Sequence, residues 1–501
     1  MSKSYHKPNS LKLIANKRKN NNSKKKTLTM NKYSKKMFIF YNPMLKILEK
    51  ETNISYYFSI RENSIMHNFL TYIYLQFNYY NKIINTLNIA STRNLNSNVS
   101  EKINIIIKDN LSKSKYIDAN IITYISNNIS NCKIITYKNS INNKKYVFDF
   151  IIYDKININN LDNIVKNMLI FLQILIKISK NLNNEINECS KDGVSITFFL
   201  TPFLKKLNIT NNKNKEILGA NNVNSGFNYT CLNSGLIFIY RKEDFFKVFV
   251  HESVHAYGID RALHFDFNKN QNYNKFLSIF AFANKDTTDI GINEAVTEFW
   301  TSILYLCINS YQYSKSLQNF IYNYERLYKT ELIHALYQIS KILHYNDLTY
   351  NTFINNSNSK YRENSHIFSY FIVKTLMIIN HEHMLNSQLF DLNSISKLDN
   401  IENNSPINIK LKQDDITMNK LFVNLYEYAK DQLFIKIMTN IEVEHRKHYK
   451  KYKNIKTCKL IKKLKQKTRN FLTQKSRTNH IINMEHYMLT NLKMMIYDYN
   501  I

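Results

Sequence analysis

The chain has 501 residues, enough for about two to four domains and a sizeable apolar core. Its formal net charge is +31, but Asn, Lys, Ile and Tyr are all abundant while Gly (6), Pro (4) and Trp (1) are scarce. That is the bias of an AT-rich coding sequence, so basicity alone identifies no partner.

Residues 1–36 are Lys, Asn and Ser with few apolar side chains and no hydrophobic signal-peptide core, which predicts a disordered basic tail. The region 37–158 reads as α+β: a helix over 64–86, then strands over 133–137 and 146–153 separated by turn formers at 139–143. The segment 159–311 is patterned as a core, with a helix over 161–182 and strands over 194–200, 223–230 and 235–240. A helix then opens at Glu243, and Gly258 suits the left-handed position that ends it. A connecting segment, apolar only over 276–282, runs to about residue 290. Helical spacing resumes over 293–309 through Ala295, Phe299, Trp300, Ile303 and Leu306. Helices are expected over 316–327, 332–343, 365–379 and 418–441, making 312–441 a helical subdomain, with 442–501 a basic helical tail. Between Arg446 and Arg477 stand fourteen Lys or Arg and no acid. This run reads either as a solvated surface helix or as a contact for nucleic acid or an acidic partner.

Five scattered cysteines without a CxxC pair exclude a disulfide-stapled scaffold and are expected to be reduced thiols. The longest apolar runs, 168–176 and 367–379, fall short of the roughly 18 residues of a membrane span, so a soluble intracellular protein is expected.

The chemistry concentrates in VFVHESVHAY, residues 248–257. On a helix His251 and His255, four apart, share a face and can present two imidazoles to one Zn²⁺, with Glu252 leaning over its open side. Random placement of 14 His and at most 38 Glu yields at most about 0.03 such HExxH patterns per chain, so coincidence on a polar surface is the weaker explanation. The uncharged flanks Phe249, Val250, Val254 and Ala256 point to a buried helix.

A catalytic zinc site takes three protein ligands and keeps one position open. The extension HExxHxxGxxH is matched through Gly258 but ends on Arg261, which cannot bind a cation. Asp260, His264 and Cys231 are fallbacks, Cys231 reading more simply as a small core residue. The stronger candidate is Glu294 in NEAVTE, with Glu298 one turn later placed to accept the second N–H of a ligand histidine. An acidic first turn is also what the helix dipole favours without a metal. Against that, the rest of this helix is apolar, and two buried carboxylates need a cation.

HESVH followed by NEAVTE resembles the gluzincin branch of the zincin metallopeptidases, and the passage from Asn222 to Asp260 is similar to uncharacterised HExxH proteins of large DNA viruses. The resemblance covers roughly 161–310; thirty-eight residues separate His255 from Glu294, about twice the gap of the best-known gluzincins. It implies a zincin-like α+β fold: a small twisted mixed sheet packed on the HExxH helix and a backing helix, followed by a mainly α-helical C-terminal part. It also implies one catalytic Zn²⁺ held by His251, His255 and Glu294, with Glu252 as general base in peptide-bond hydrolysis. A peptide or protein substrate would lie along an edge strand near Asn224, Ser225 and Gly226, and Tyr361 and His366 are the candidate oxyanion donors. The expected location is cytoplasmic or virion-associated. The alternative is a zincin fold without turnover, acting as a structural or nucleic-acid-associated protein through its basic ends.

Overall fold

The computed structural model describes residues 30–501 apart from 53, 55–58, 63, 88–90, 95–97, 155, 180–187, 210–214, 261–269, 284–289, 356–359, 389–414, 467–485 and 500. Residues 1–29 and His264 thus lie outside the described residues. The strands in chain order are β1 (Ser91–Asn94), β2 (Lys133–Ile141), β3 (Lys144–Ile152), β4 (Gly193–Phe199), β5 (Leu218–Gly219), β6 (Gly226–Tyr229), β7 (Ser234–Ile239) and β8 (Glu363–Asn364). The fold is α+β around one mixed sheet of order β1-β2-β3-β4-β7-β6. β2 and β3 form a hairpin whose Asn142 and Asn143 both take left-handed backbone (φ 51° and 62°), the geometry that matches strand twist in a two-residue turn. β3, β4 and β7 run parallel, and β6 returns antiparallel on β7 as the edge.

The first seven helices are α1 (Lys32–Glu51), α2 (Ile65–Thr86), α3 (Asn98–Asp109), α4 (Ala119–Asn127), α5 (Ile158–Ser179), α6 (Ala220–Val223) and α7 (Phe245–Ala256). Because β3 and β4 are parallel, a crossover must join them, and α5 supplies it across residue 158. Strand side chains alternate between two faces. Phe148, Phe150, Ile196, Phe198, Ile237 and Ile239 meet α5 and α7, whereas Ile134, Ile151, Phe199 and Phe238 meet Ile103, Ile121 and Ile125 of α3 and α4. Phe150 and Phe198 stack at 4.5 Å across neighbouring strands. Each such fully buried aromatic is worth about 1.5–3 kcal/mol.

The chain continues through α8 (Gln271–Ser278), α9 (Ile292–Gln312), α10 (Leu317–Tyr345), α11 (Tyr350–Ile354), a π-helical turn Phe368–Val373, α12 (Lys374–Ile379), α13 (His381–Gln388), α14 (Asp415–Lys430) and α15 (Gln432–Gln466). Several expectations are corrected. Part of the basic tail is ordered, since α1 starts at Lys32, capped by the Asn31 side chain. The two helices expected over 316–343 are one, because no Pro or Gly interrupts the ladder and Glu331 is accepted into the core. The helix expected over 418–441 is two, because the Asp431 carboxylate accepts the Phe434 N–H at 2.7 Å and caps a new start. α8, capped by Asn270, stands where only a connection was expected.

The C-terminal residues 486–501 are threaded into the body. Leu207 N–H donates to the Thr490 carbonyl at 2.6 Å, Leu492 N–H to Lys205 at 3.1 Å, and Asn31 N–H to Asp498 at 2.9 Å. Cys189 and Cys231 form a disulfide, contrary to the expectation of reduced thiols. Parallel pairing of Gly193 with Ser234 puts the turns before β4 and β7 side by side, which brings the two residues together and removes Cys231 as a metal ligand.

Candidate metal centre

α7 lies between the sheet and α9, with every residue but His255 buried. It starts at Asp244, whose carboxylate meets Lys205 Nζ at 3.3 Å and Lys493 Nζ at 2.6 Å. It ends in a Schellman motif: Gly258 N–H donates to His255 O at 2.9 Å and Ile259 N–H to Val254 O at 3.1 Å, with Gly258 at φ 67°. This stop folds the next residue back onto the helix, and Asp260 Oδ2 lies 2.7 Å from His255 Nδ1.

His251 and His255 point their Nε2 atoms at one spot, 3.1 Å apart. Glu294, in the first turn of α9, brings Oε2 to 3.4 Å from His251 Nε2 and 3.5 Å from His255 Nε2. Tetrahedral zinc with bonds of about 2.05 Å needs donor separations of about 3.3 Å. The three donors therefore already have the spacing of one face of that tetrahedron, and they form the metal-competent His/Cys/Asp/Glu group among the described residues. Glu294 Oε2 is otherwise a buried acceptor without a hydrogen bond.

Behind the donors each histidine has its own carboxylate. His251 Nδ1 lies 2.8 Å from Glu298 Oε1, and the same oxygen accepts from the buried Lys247 ammonium. Asp260 does the same for His255. Four carboxylates (Glu252, Asp260, Glu294, Glu298) thus gather around the site, with Lys247 and Lys205 on the cavity wall and Lys374 acting on Glu298, an excess of acid over lysine that suits a divalent cation. Burial opposes charge on the imidazoles, yet Glu298 and Glu294 hold His251 above the usual range, and Asp260 and Glu294 hold His255 well above it. Burial likewise opposes charge on Glu298, but Lys247 and His251 outweigh it and keep the carboxyl well below the usual range.

The site opens on a cavity of about 280 Å³ along β6. Glu252 reaches it with Oε2 accepting from Asn228 Nδ2 at 2.7 Å, and burial pushes its carboxyl up. β6 approaches α7 closely: a Cβ on Gly226 would stand 2.7 Å from Val248 Cγ1 and 3.1 Å from Glu252 Oε1, which is why glycine is needed there. The chain matches no family model, no curated protein and no solved structure.

Of the residues expected to hold substrate, Asn224, Ser225 and Gly226 all line the cavity. The first two have their carbonyls engaged, Asn224 O by Arg241 Nε at 2.9 Å and Ser225 O by Tyr240 N–H at 2.8 Å. The edge that can pair with a ligand therefore begins at Gly226, while the buried Ser225 Oγ has no hydrogen-bond partner among the described residues. His366 lines the cavity, its Nδ1 accepting from Gly291 N–H at 3.2 Å. Tyr361 does not. Its hydroxyl donates to Glu363 at 2.7 Å and its ring packs against Phe282 and Phe353, so it is a core residue.

Tyr370 and Asn228 line the cavity and were not anticipated from the sequence. Tyr370 faces His251 at a ring distance of 6.2 Å, with Glu294 close enough to act on its hydroxyl. Burial and then the charges of Glu294, Glu298 and Glu252 hold its hydroxyl well above the usual range, so it stays a donor. The available signal was its i+4 spacing from His366, masked in a chain with 36 tyrosines. Asp260 was weighed as a ligand; it lies instead on the outer nitrogen of His255.

Proposed function

We propose that the chain is a zinc-dependent metallopeptidase of gluzincin type, with Zn²⁺ held by His251, His255 and Glu294. The observation that carries this reading is the convergence of those donors at 3.1–3.5 Å with Glu252, a carboxylate not needed to hold metal, beside them on the cavity wall. The bound cation supplies Lewis acidity and lowers the pKa of water towards about 7. Glu252, kept basic yet poorly solvated, accepts a proton from the attacking water and returns it to the leaving nitrogen. Asn228 holds that carboxylate in place at 2.7 Å. Tyr370, with His366 beside it, donates towards the developing oxyanion, a role of the kind worth about 2.7–4 kcal/mol in other hydrolases. A peptide substrate in extended form adds to β6 through the backbone of Gly226–Tyr229, an edge that pairs only with β7 among the described residues.

No helix among the described residues is long and apolar enough to cross a membrane. An intracellular or virion-associated setting is our reading, and persistence of the Cys189–Cys231 bond in the isolated protein would select the more oxidising of the two.

The reading is tested with a peptide library on wild type and Glu252→Gln. Wild type is expected to cleave, and the variant to lose at least about 100-fold in turnover, the scale of general-base catalysis, while keeping its zinc. A wild type that holds zinc and cleaves nothing would instead support the non-catalytic alternative, in which the basic α15 surface is the functional part.

A further inference from the structure

A second cavity, of about 100 Å³, opens away from the metal centre where α10, α15 and residues 486–501 meet. Its walls carry Lys215, Lys341, His344, His445 and Lys453 against a single acid, Asp347. Asp347 is spent on Lys215 at 2.6 Å. Lys453 lies over the Tyr449 ring at 4.8 Å and Lys215 over Tyr345 at 5.8 Å, so both ammonium groups are held at the rim.

The interior is built, not incidental. Lys341 is 2% exposed and donates to the carbonyls of Met488, at 2.9 Å, and Asn491, which fixes its ammonium at the cavity floor. His445 is 3% exposed, its ring edge-on to Tyr337 and His344 and stacked against Tyr449. Burial first, and then the positive neighbours His344, Lys341, His448 and Arg446, drive His445 well below the usual histidine range. Burial, Arg446, Lys215 and Lys453 lower His344 in the same way. Burial is the leading cause at both imidazoles, and the neighbouring cations add to it.

We propose that this cavity is a binding site for a phosphate group. Lys215 and Lys453 supply point charges at the rim, Lys341 offers its remaining N–H at the floor, the two histidines supply further N–H donors, and the space accepts a tetrahedral oxyanion. On α15, Lys447, Lys450 and Lys451 are exposed in the stretch that leads to Lys453 at the rim, so the phosphate is either a free one or one carried by a nucleic-acid strand lying on that helix. This site is independent of the peptidase reading.

The test is a titration of the full-length protein with inorganic phosphate, followed through the imidazole NMR resonances of His344 and His445. A saturable shift at millimolar phosphate or below is expected, weakened at least tenfold in Lys215→Ala/Lys453→Ala, which alters only rim side chains and leaves zinc content unchanged. A short single-stranded DNA oligonucleotide that competes with phosphate, and loses affinity in the same variant, identifies the strand as the carrier; failure to compete identifies a free phosphate. No saturable shift up to tens of millimolar, or equal shifts in wild type and variant, would overturn the proposal.

Discussion

Asp260 carries a burden that its position in the sequence does not announce. Its carboxylate fixes the tautomer of His255 by accepting from Nδ1 at 2.7 Å, leaving Nε2 free for metal. Asp260→Ala is expected to weaken zinc binding about 10–100-fold with the fold retained, measured by competition with a chromophoric chelator. An unchanged dissociation constant would remove Asp260 from the site. Glu331 makes a different kind of prediction. Burial raises its carboxyl to about 7, and its Oε2 accepts from Ile496 N–H at 3.0 Å. The folded state therefore holds the proton more tightly than the unfolded chain, whose carboxyl titrates near about 4.3. The stability from this group is complete below that value and is lost as pH rises through about 7. Glu331→Gln keeps a carbonyl acceptor for Ile496 and removes the titration, so it should flatten the fall in unfolding free energy between about pH 5 and pH 8, seen in urea titrations. An unchanged slope would show that the proton is not held there. The donors His251, His255 and Glu294 were legible because metal chemistry restricts residue type and helical spacing together. Tyr370 and Asp260 were not, because a tyrosine among 36 carries no type signal and the Schellman turn at Gly258 redirects the chain in a way spacing alone does not convey.

At the scale of elements, α7 is fastened from both ends, and its N-terminal fastening comes from the far end of the chain. Glu243 accepts from Tyr487 Oη at 2.9 Å and Asn491 Nδ2 at 2.7 Å, while Lys493 Nζ bridges Asp244 at 2.6 Å and Asp498 at 3.1 Å. All three members of that bridge are buried. Lys493→Met would leave Asp498 without its cation and Asp244 with Lys205 alone, and is expected to cost about 3–5 kcal/mol in denaturant unfolding, with Asp498→Asn restoring part of the loss. A cost below about 1 kcal/mol would mean that residues 486–501 merely cover the body. Helices with a clean apolar period, such as α5 and α9, could be read directly from the pattern. The continuity of α10 could not, since it depends on the core accepting Glu331. Nor could the π-helical turn at Phe368–Val373, whose wider register brings Tyr370 to the cavity.

For the whole molecule, the α+β class and the leading strands of a mixed sheet were foreshadowed by strand and helix order, whereas the pairing of β2 and β3 with β4 required knowing that α5 crosses over between them. That crossover makes one sheet of residues on both sides of 158, and its edge strand β6 forms the wall opposite the metal donors. On the proposed reading, a cation held beside Glu252, Asp260, Glu294 and Glu298 would stabilise this assembly by mass action, because only the folded chain gathers them. The most direct measurement is metal content by elemental mass spectrometry on the purified chain, beside Glu294→Gln. One zinc per chain is expected in the wild type, with its loss in the variant. A folded wild-type chain that neither carries zinc nor takes it up at micromolar concentration would rule out a zinc centre at His251, His255 and Glu294.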